Sequence, residues 1–374
     1  MAAPLDASKV EIINSTTSKE NKPKENYEFG NDFTDHMLEV EWTEKDGWGT
    51  PKISPYHNLS LPPSCCALQY AFELFEGMKA YRGQDGKIRT FRNYMNMARM
   101  NMSAQRLALP TFDGEELLKL IDQLISIDKD FTPQGFNSSL YIRPTLIGTT
   151  PSVRIRPPDR ALLYVILSPV NSTYFGGKMS LEATDYAVRA WPGGVGNSKL
   201  GANYGPSVLP QKTAAARGYS QNLWLFGEEG YITEAGMMNV FFVFKDESGK
   251  KELVTAPLDG TILEGITRDS ILELARGKLP SDEWAISERQ FTIHEVFDKA
   301  AKGQLVEAFG CGTAAVVSSI NRIGWQGKDI EVGTSSELCE TILGWIKNIQ
   351  YGEEEFKDWS RVSECKLNFS LDIR

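Results

Sequence analysis

Residues 193–205 read GGVGNSKLGANYG, and a single lysine, Lys199, stands there among five glycines, two asparagines and a serine, with Tyr204 close behind. Glycine costs conformational entropy on folding, so a chain keeps it where the backbone takes unusual torsions or another group must come close. Three readings compete: a phosphate loop, a flexible linker and a pocket around a reactive amine. A Walker loop requires G-x-x-x-x-G-K-[ST], whereas Lys199 is preceded by Ser198 and followed by Leu200. A linker does not suit a stretch between a strand candidate and a helix candidate of one domain. What remains is an amine walled by small residues, and such amines condense with carbonyl compounds.

Pyridoxal phosphate is one such compound, and it makes further demands: an acid at its pyridine nitrogen and a cup of backbone amides with a cation for its phosphate. Glu234, in GYITEAGMMN (230–239), reads either as that acid, with Asn239 and a strand following, or as a turn glutamate in water. In LEGITRDSILELA (263–275), Gly265, Ile266 and Thr267 open an apolar-periodic helix whose free N–H groups would attract an anion. The same residues also read as an ordinary helix start with Thr267 as its cap. FGCGTAA (309–315) matches G-x-G-x-x-A, but β-branched residues follow where a dinucleotide fold needs a helix. A strand after Ala315 excludes a nicotinamide-dependent dehydrogenase; the turn then suits an anion nest for a substrate carboxylate.

The 374 residues exceed what one growing core uses, so two domains are expected. Residues 1–28 are polar and aperiodic and read as a loosely packed tail, 29–171 as a smaller α/β domain, 172–181 as a connector and 182–374 as a larger mixed domain. In the first domain, RNYMNMARMNMSAQRL (92–107) and EELLKLIDQLISID (115–128) predict helices; SLYIRPTLIG (139–148) and RALLYVILSP (160–169) predict buried strands. The methionines of 92–107 suggest a cofactor box, but helical spacing favours core packing. In the second domain, strands are expected at 185–191, 222–227, 239–244, 252–257 and 304–310. Helices are expected at 207–219, 267–277 and 336–350.

A net charge of −9 argues against nucleic acid as the partner, and no apolar run reaches the roughly 20 residues that span a bilayer. The opening segment lacks a secretory core and carries acids where a mitochondrial presequence is acid-poor, which points to the cytoplasm. Five scattered cysteines read as reduced thiols, and His36, His57 and His294 have no metal-ligand spacing, so no metal is expected.

Taken together and in this order, SLYIRP, GGVGNSKLGANYG, ITEAGMMN, LEGITRD and FGCGTAA closely resemble the branched-chain amino acid aminotransferases among the fold-type IV pyridoxal phosphate enzymes. The resemblance covers about residues 30 to 360 and is nearest to the fungal members. It implies an α/β (α+β type) architecture with a small and a large domain, the cofactor in the cleft, and a homodimer. It implies that Lys199 binds pyridoxal 5'-phosphate covalently and shuttles the proton, that Glu234 pairs with the pyridine nitrogen and that Tyr204 bonds the ring 3-oxygen. Arg99, Ile266 and Thr267 would hold the phosphate with Thr313 near them, and Asn239 and Gly265 complete the cofactor set. Tyr70, Phe75, Tyr141 and Arg143 would line the substrate pocket, with the Thr313 and Ala314 amides on the α-carboxylate. Arg143 or a tyrosine hydroxyl would meet the second carboxylate of glutamate.

The expected reaction is amino transfer between leucine, isoleucine or valine and 2-oxoglutarate. Rival readings are a D-amino acid aminotransferase, an aminodeoxychorismate lyase, the dehydrogenase above, and a silent binding protein on the same fold. Departures from the pattern are Met237 in place of a threonine and Cys311 in place of a serine, the latter either inert or oxidant-sensitive. The Cys-x-x-Cys pair of mammalian members would fall at Ala315 and Ser318 and is absent.

Overall fold

A computed structural model describes residues 2–16, 27–171, 177–333 and 336–363. The chain divides into two units, one comprising Met1–Tyr174 with Ile349–Arg374, the other Phe175–Asn348.

The first unit is built on a ten-stranded sheet. Along its path lie Glu11–Ile12, Lys52–Pro55, His36–Thr43, Arg160–Val170, Ser139–Gly148, Met78–Arg82, Ile88–Phe91 and Ser360–Val362. All neighbours are antiparallel except Glu11–Ile12 with Lys52–Pro55. The two predicted long strands form its centre, paired from Ser139 with Val170 to Gly148 with Ala161. Helix Gly114–Ile127 starts where Asp113 accepts from the Glu115 N–H, and buries Leu117, Leu118, Leu120, Ile121, Leu124 and Ile125. Helix Asn93–Arg106 buries Met97 and Met100, which are core methionines.

Two expectations for this unit are corrected. The opening residues are not a loose tail: Leu5 and Ala7 are buried, the Ala7 N–H donates to Glu116 Oε2 at 2.7 Å, and Glu11–Ile12 join the sheet. The Ser15 N–H then donates to His36 Nε2 at 2.9 Å. Single apolar residues in a polar segment carry no periodicity, so this packing leaves no pattern to read. Nor does the second unit run to the C terminus, because Ser360–Val362 pairs with Ile88–Phe91 in the first.

The second unit holds a nine-stranded sheet. Tyr231–Ala235, Gln221–Phe226, Met179–Thr184, Val316–Trp325, Leu305–Gly312 and Met238–Lys245 follow one another, and the last pairs back to the first, so six strands close on themselves. Lys251–Thr255 and Trp284–Glu288 extend the sheet. Its apolar core includes Leu181, Leu223, Val240, Phe242, Phe244, Phe291 and Ile323. Helices Val208–Ala216, Ile266–Lys278 and Glu337–Tyr351 lie where expected. The strand expected at 185–191 is absent; that stretch forms bends, and its arginine turns inward instead. Of the expected connector, 172–176 lie outside the described residues, and Met179 already begins a strand.

Candidate active site

In the second unit the glycine-rich stretch folds as a chain of tight turns. The Leu200 N–H donates to the Ser198 carbonyl at 3.0 Å, a three-residue turn with Lys199 at its apex. From there Lys199 Nζ donates to the Tyr204 hydroxyl at 2.9 Å. The glycine at 196 is dictated by close approach: a Cβ there would lie 2.4 Å from the Ala190 Cβ and 2.8 Å from the Thr261 oxygen.

Glu234 and Asn239 face each other in register on two strands joined through Gly236 and Met237. Gly236 has φ +58°, as the first position of a II′ hairpin turn requires, and Met237 projects outward from the turn, largely exposed. Glu234 is almost wholly buried, which removes the reading of it as a turn glutamate in water. Its Oε1 accepts from the Leu263 N–H at 2.8 Å and from Asn239 Nδ2 at 3.3 Å; its Oε2 pairs with Arg189 Nε at 2.8 Å. Arg189 also donates to the Thr261 carbonyl at 3.1 Å and the Gly196 carbonyl at 3.4 Å. One guanidinium thus ties the carboxylate to the lysine loop. Sequence reasoning misses Arg189, because 185–191 reads as a strand and the pair with Glu234 is made only in the fold.

Asn239 also fixes the start of helix Ile266–Lys278. Its Nδ2 donates to the Leu263 carbonyl at 2.9 Å, and a Cβ on Gly265 would fall 1.9 Å from its Oδ1. Gly265 is the helix N-cap and no side chain caps the helix, so Thr267 is not the cap. The amides of Ile266 and Thr267 are therefore at an uncapped N-terminus, the place where a helix attracts an anion. Thr313 and Ala314 occupy the turn between strands Leu305–Gly312 and Val316–Trp325, paired Gly312 to Val316. A strand follows Ala315, so the dehydrogenase reading falls. Cys311 is buried, and burial pushes its thiol far above its ordinary value, which decides for the inert alternative.

In the first unit, Phe75, Tyr141 and Arg143 come together. The Arg143 guanidinium stands 4.6 Å from the Phe75 ring centre and donates to the Tyr141 hydroxyl at 3.0 Å; Phe29 meets the Tyr141 ring edge-on at 5.0 Å. A Cβ on Gly77 would collide with that hydroxyl at 2.2 Å. Tyr70 is partly exposed and donates to the Val153 carbonyl at 2.6 Å. Arg99 is buried on Glu76, with Nε to Oε1 at 2.7 Å and Nη2 to Oε2 at 2.8 Å; Asn96 Nδ2 adds a bond to Oε2. Glu76, fully buried, is a second residue with no local sequence signal.

A lysine on a glycine-lined turn with a phenol at its amine, a buried carboxylate and a glycine-started helix suit a pyridoxal phosphate enzyme, and the amino-transferase class IV family, which matches residues 73–323, gives the class. The chain is 61% identical to the cytosolic branched-chain-amino-acid aminotransferase of Saccharomyces cerevisiae, over 96% of this chain and 98% of that protein. It is 58% identical to the mitochondrial form of the same yeast, over 96% and 94%, and 47% identical to the mitochondrial enzyme of Mus musculus, over 91% and 87%. The chain therefore belongs to the branched-chain-amino-acid aminotransferases of class IV. Its fold matches the holo structure of the enzyme from Thermobaculum terrenum with a TM-score of 0.70 at 23% identity, covering 88% of this chain and 99% of that one. Class IV aminotransferases use pyridoxal phosphate, and the second unit fits it: an amine, a phenol, a buried carboxylate and an amide-presenting helix start are the donor set that cofactor demands. Among the described residues no helix is long and apolar enough to cross a membrane.

Proposed function

We propose that this chain catalyses the reversible transfer of an amino group between leucine, isoleucine or valine and 2-oxoglutarate, in ping-pong fashion. The observation that carries the reading is the Lys199–Tyr204 contact, in the same unit as a Glu234 carboxylate held on three sides. When bound, pyridoxal phosphate supplies a carbonyl for amines and a ring that accepts the electron pair from Cα. Lys199 would supply the amine that holds it and, when that amine is free, its Nζ would take up and return the proton that leaves the substrate Cα. Tyr204 orients that amine through its hydroxyl. Glu234 would meet the pyridine nitrogen, its carboxylate held in place by Arg189 and the Leu263 amide. The helix start at Gly265, Ile266 and Thr267 takes the phosphate, and Arg99 supplies the cation, with Asn239 and Thr313 completing the cofactor set.

For the substrate, Phe75 and Tyr141 provide apolar surface, Tyr70 adds to it, and the Thr313 and Ala314 amides receive the α-carboxylate. Arg143, already bonded to a phenol, meets the side-chain carboxylate of glutamate. An apolar pocket separates side chains one methylene apart by only about 1–3 kcal/mol, so all three branched-chain acids serve. We further propose a homodimer, supported by the exposed apolar side chains of Val208 and Leu209, and a cytosolic location, supported by the greater likeness to the cytosolic yeast relative. Sedimentation and cell fractionation test these.

The visible spectrum tests the reaction. A yellow protein that bleaches with L-leucine, recovers with 2-oxoglutarate and loses this cycle in Lys199→Ala bears it out. A yellow protein indifferent to L-leucine but responsive to D-alanine or aminodeoxychorismate transfers the assignment to another class IV activity. A protein that stays colourless with added pyridoxal phosphate overturns it.

A further inference from the structure

The lysine turn is held from outside by a residue that has no part in the reaction described above. Asn203 Nδ2 donates to two carbonyls at once, Val195 at 2.9 Å and Ser198 at 2.8 Å. Those carbonyls are the acceptors of the two turns preceding and containing Lys199: Ser198 N–H bonds Val195, and Leu200 N–H bonds Ser198, both at 3.0 Å. Asn203 is itself fixed, since its own N–H donates to the Leu200 carbonyl at 3.1 Å. One amide group thus closes residues 195–203 into a ring, and the Lys199 Cα sits on the arc it holds.

The chemistry of this clamp is selective. A single nitrogen must give two protons to two carbonyl oxygens, which a primary amide does and a hydroxyl or carboxylate does not. A three-residue turn has one hydrogen bond and little else to keep it, and flanking glycines add backbone freedom. Without the Asn203 donor the Ser198 carbonyl loses a tie that helps fix where Lys199 leaves the backbone.

We propose that Asn203 is a positioning residue for Lys199: its amide holds the lysine turn in the one arrangement that brings the amine to Tyr204 and to the carbonyl it must meet. The inference rests on the aminotransferase reading and adds to it a residue that acts through the backbone. Misplacement of a reacting group by about 1 Å costs on the order of a hundredfold in rate.

Two ligands separate positioning from folding. Pyridoxal phosphate condenses with Lys199, and borohydride reduction fixes the adduct for counting on the peptide that carries the lysine; pyridoxamine phosphate occupies the same groups without condensing. Asn203→Asp keeps the shape and removes the donor, and Asn203→Ala removes both. The expected result is capture slowed by about ten- to a hundredfold in both variants, with the pyridoxamine phosphate dissociation constant within about twofold of the unsubstituted protein. Unchanged capture overturns the proposal. So does weakening of both ligands together, or failure of both variants to fold, since each makes Asn203 a residue of general stability. If the unsubstituted protein itself does not capture pyridoxal phosphate at Lys199, the aminotransferase reading fails instead.

Discussion

Arg189 Nε lies 2.8 Å from Glu234 Oε2, and both side chains are almost wholly buried. The pair is the main charge contact of the acid assigned to the pyridine nitrogen, and the same arginine reaches the lysine loop through the Gly196 carbonyl. Removing one member of a buried pair strands the other and costs about 3–5 kcal/mol. Arg189→Met is expected at the lower end, about 3 kcal/mol, because Glu234 keeps the Leu263 amide and Asn239. Urea unfolding measures the loss. Fluorescence titration with pyridoxal phosphate should show weaker binding in the same variant, and Arg189→Lys should restore part of both.

Arg99 and Glu76 make the corresponding pair in the first unit, and here the carboxylate has no exposure at all. Arg99→Met is therefore expected to destabilise by about 3 kcal/mol or more, independently of any cofactor. Exchanging both residues for methionine should cost less than the sum of the single changes, since no charge is then left unpaired. A double-mutant cycle in the apo protein reads this coupling directly. Simple additivity would mean that the two side chains do not depend on each other.

The pH dependence of stability has a source at the edge of the second unit's sheet. Arg289 bonds both Glu252 and Glu295, and its bonds hold the Glu252 carboxyl below its ordinary 4.5. A depressed carboxylate stabilises above its unfolded value, and the contribution is lost as pH falls through the folded one. Arg289→Met should therefore cost about 1 kcal/mol near neutrality, a partly exposed pair being screened. The gap between the two proteins should narrow as pH falls below 4.5 and close once the folded-state Glu252 carboxyl is protonated. Melting curves across pH 3–8 check this, and a gap that widened in acid would contradict it.

Cys311 stands in the strand that leads into the Thr313 turn, but its thiol is shut away from solvent and held protonated by burial. Iodoacetamide at neutral pH should leave it unlabelled in the folded protein and label it after denaturation. Cys311→Ser should leave sensitivity to peroxide unchanged. Preferential labelling of Cys311 in the native state would restore the oxidant-sensitive reading.

What the sequence made legible was local. Lys199 with Tyr204, Glu234 with Asn239, and the helix opened by Gly265 each fit within a dozen residues, where turn chemistry and periodicity leave a trace. Ser139–Gly148 was readable to the residue because a short stretch rich in aromatic and β-branched side chains, closed by a glycine, favours a strand even with Arg143 and Pro144 inside it. Arg189 and Glu76 were not readable, because each gains its role from a partner brought near only by the fold, and an arginine beside alanine and tryptophan looks like any other. The same holds for Glu11–Ile12: two residues become a strand only because Lys52–Ile53 offers an edge. Asn203 was visible in its glycine-rich company, but what its amide reaches depends on the turn that carries Lys199.

The first unit is assembled from both ends of the polypeptide, whereas the second is one uninterrupted run from Phe175 to Asn348. During synthesis, then, every strand of the second unit is made before Ser360–Val362. The first sheet waits until the last with Ile88–Phe91 lacking its final neighbour. Open strand edges pair readily with other chains. The Ile88–Phe91 edge of a nascent chain is thus open to mispairing until residues 360–362 have emerged to cover it, and ribosome stalling upstream of residue 360 would prolong that interval.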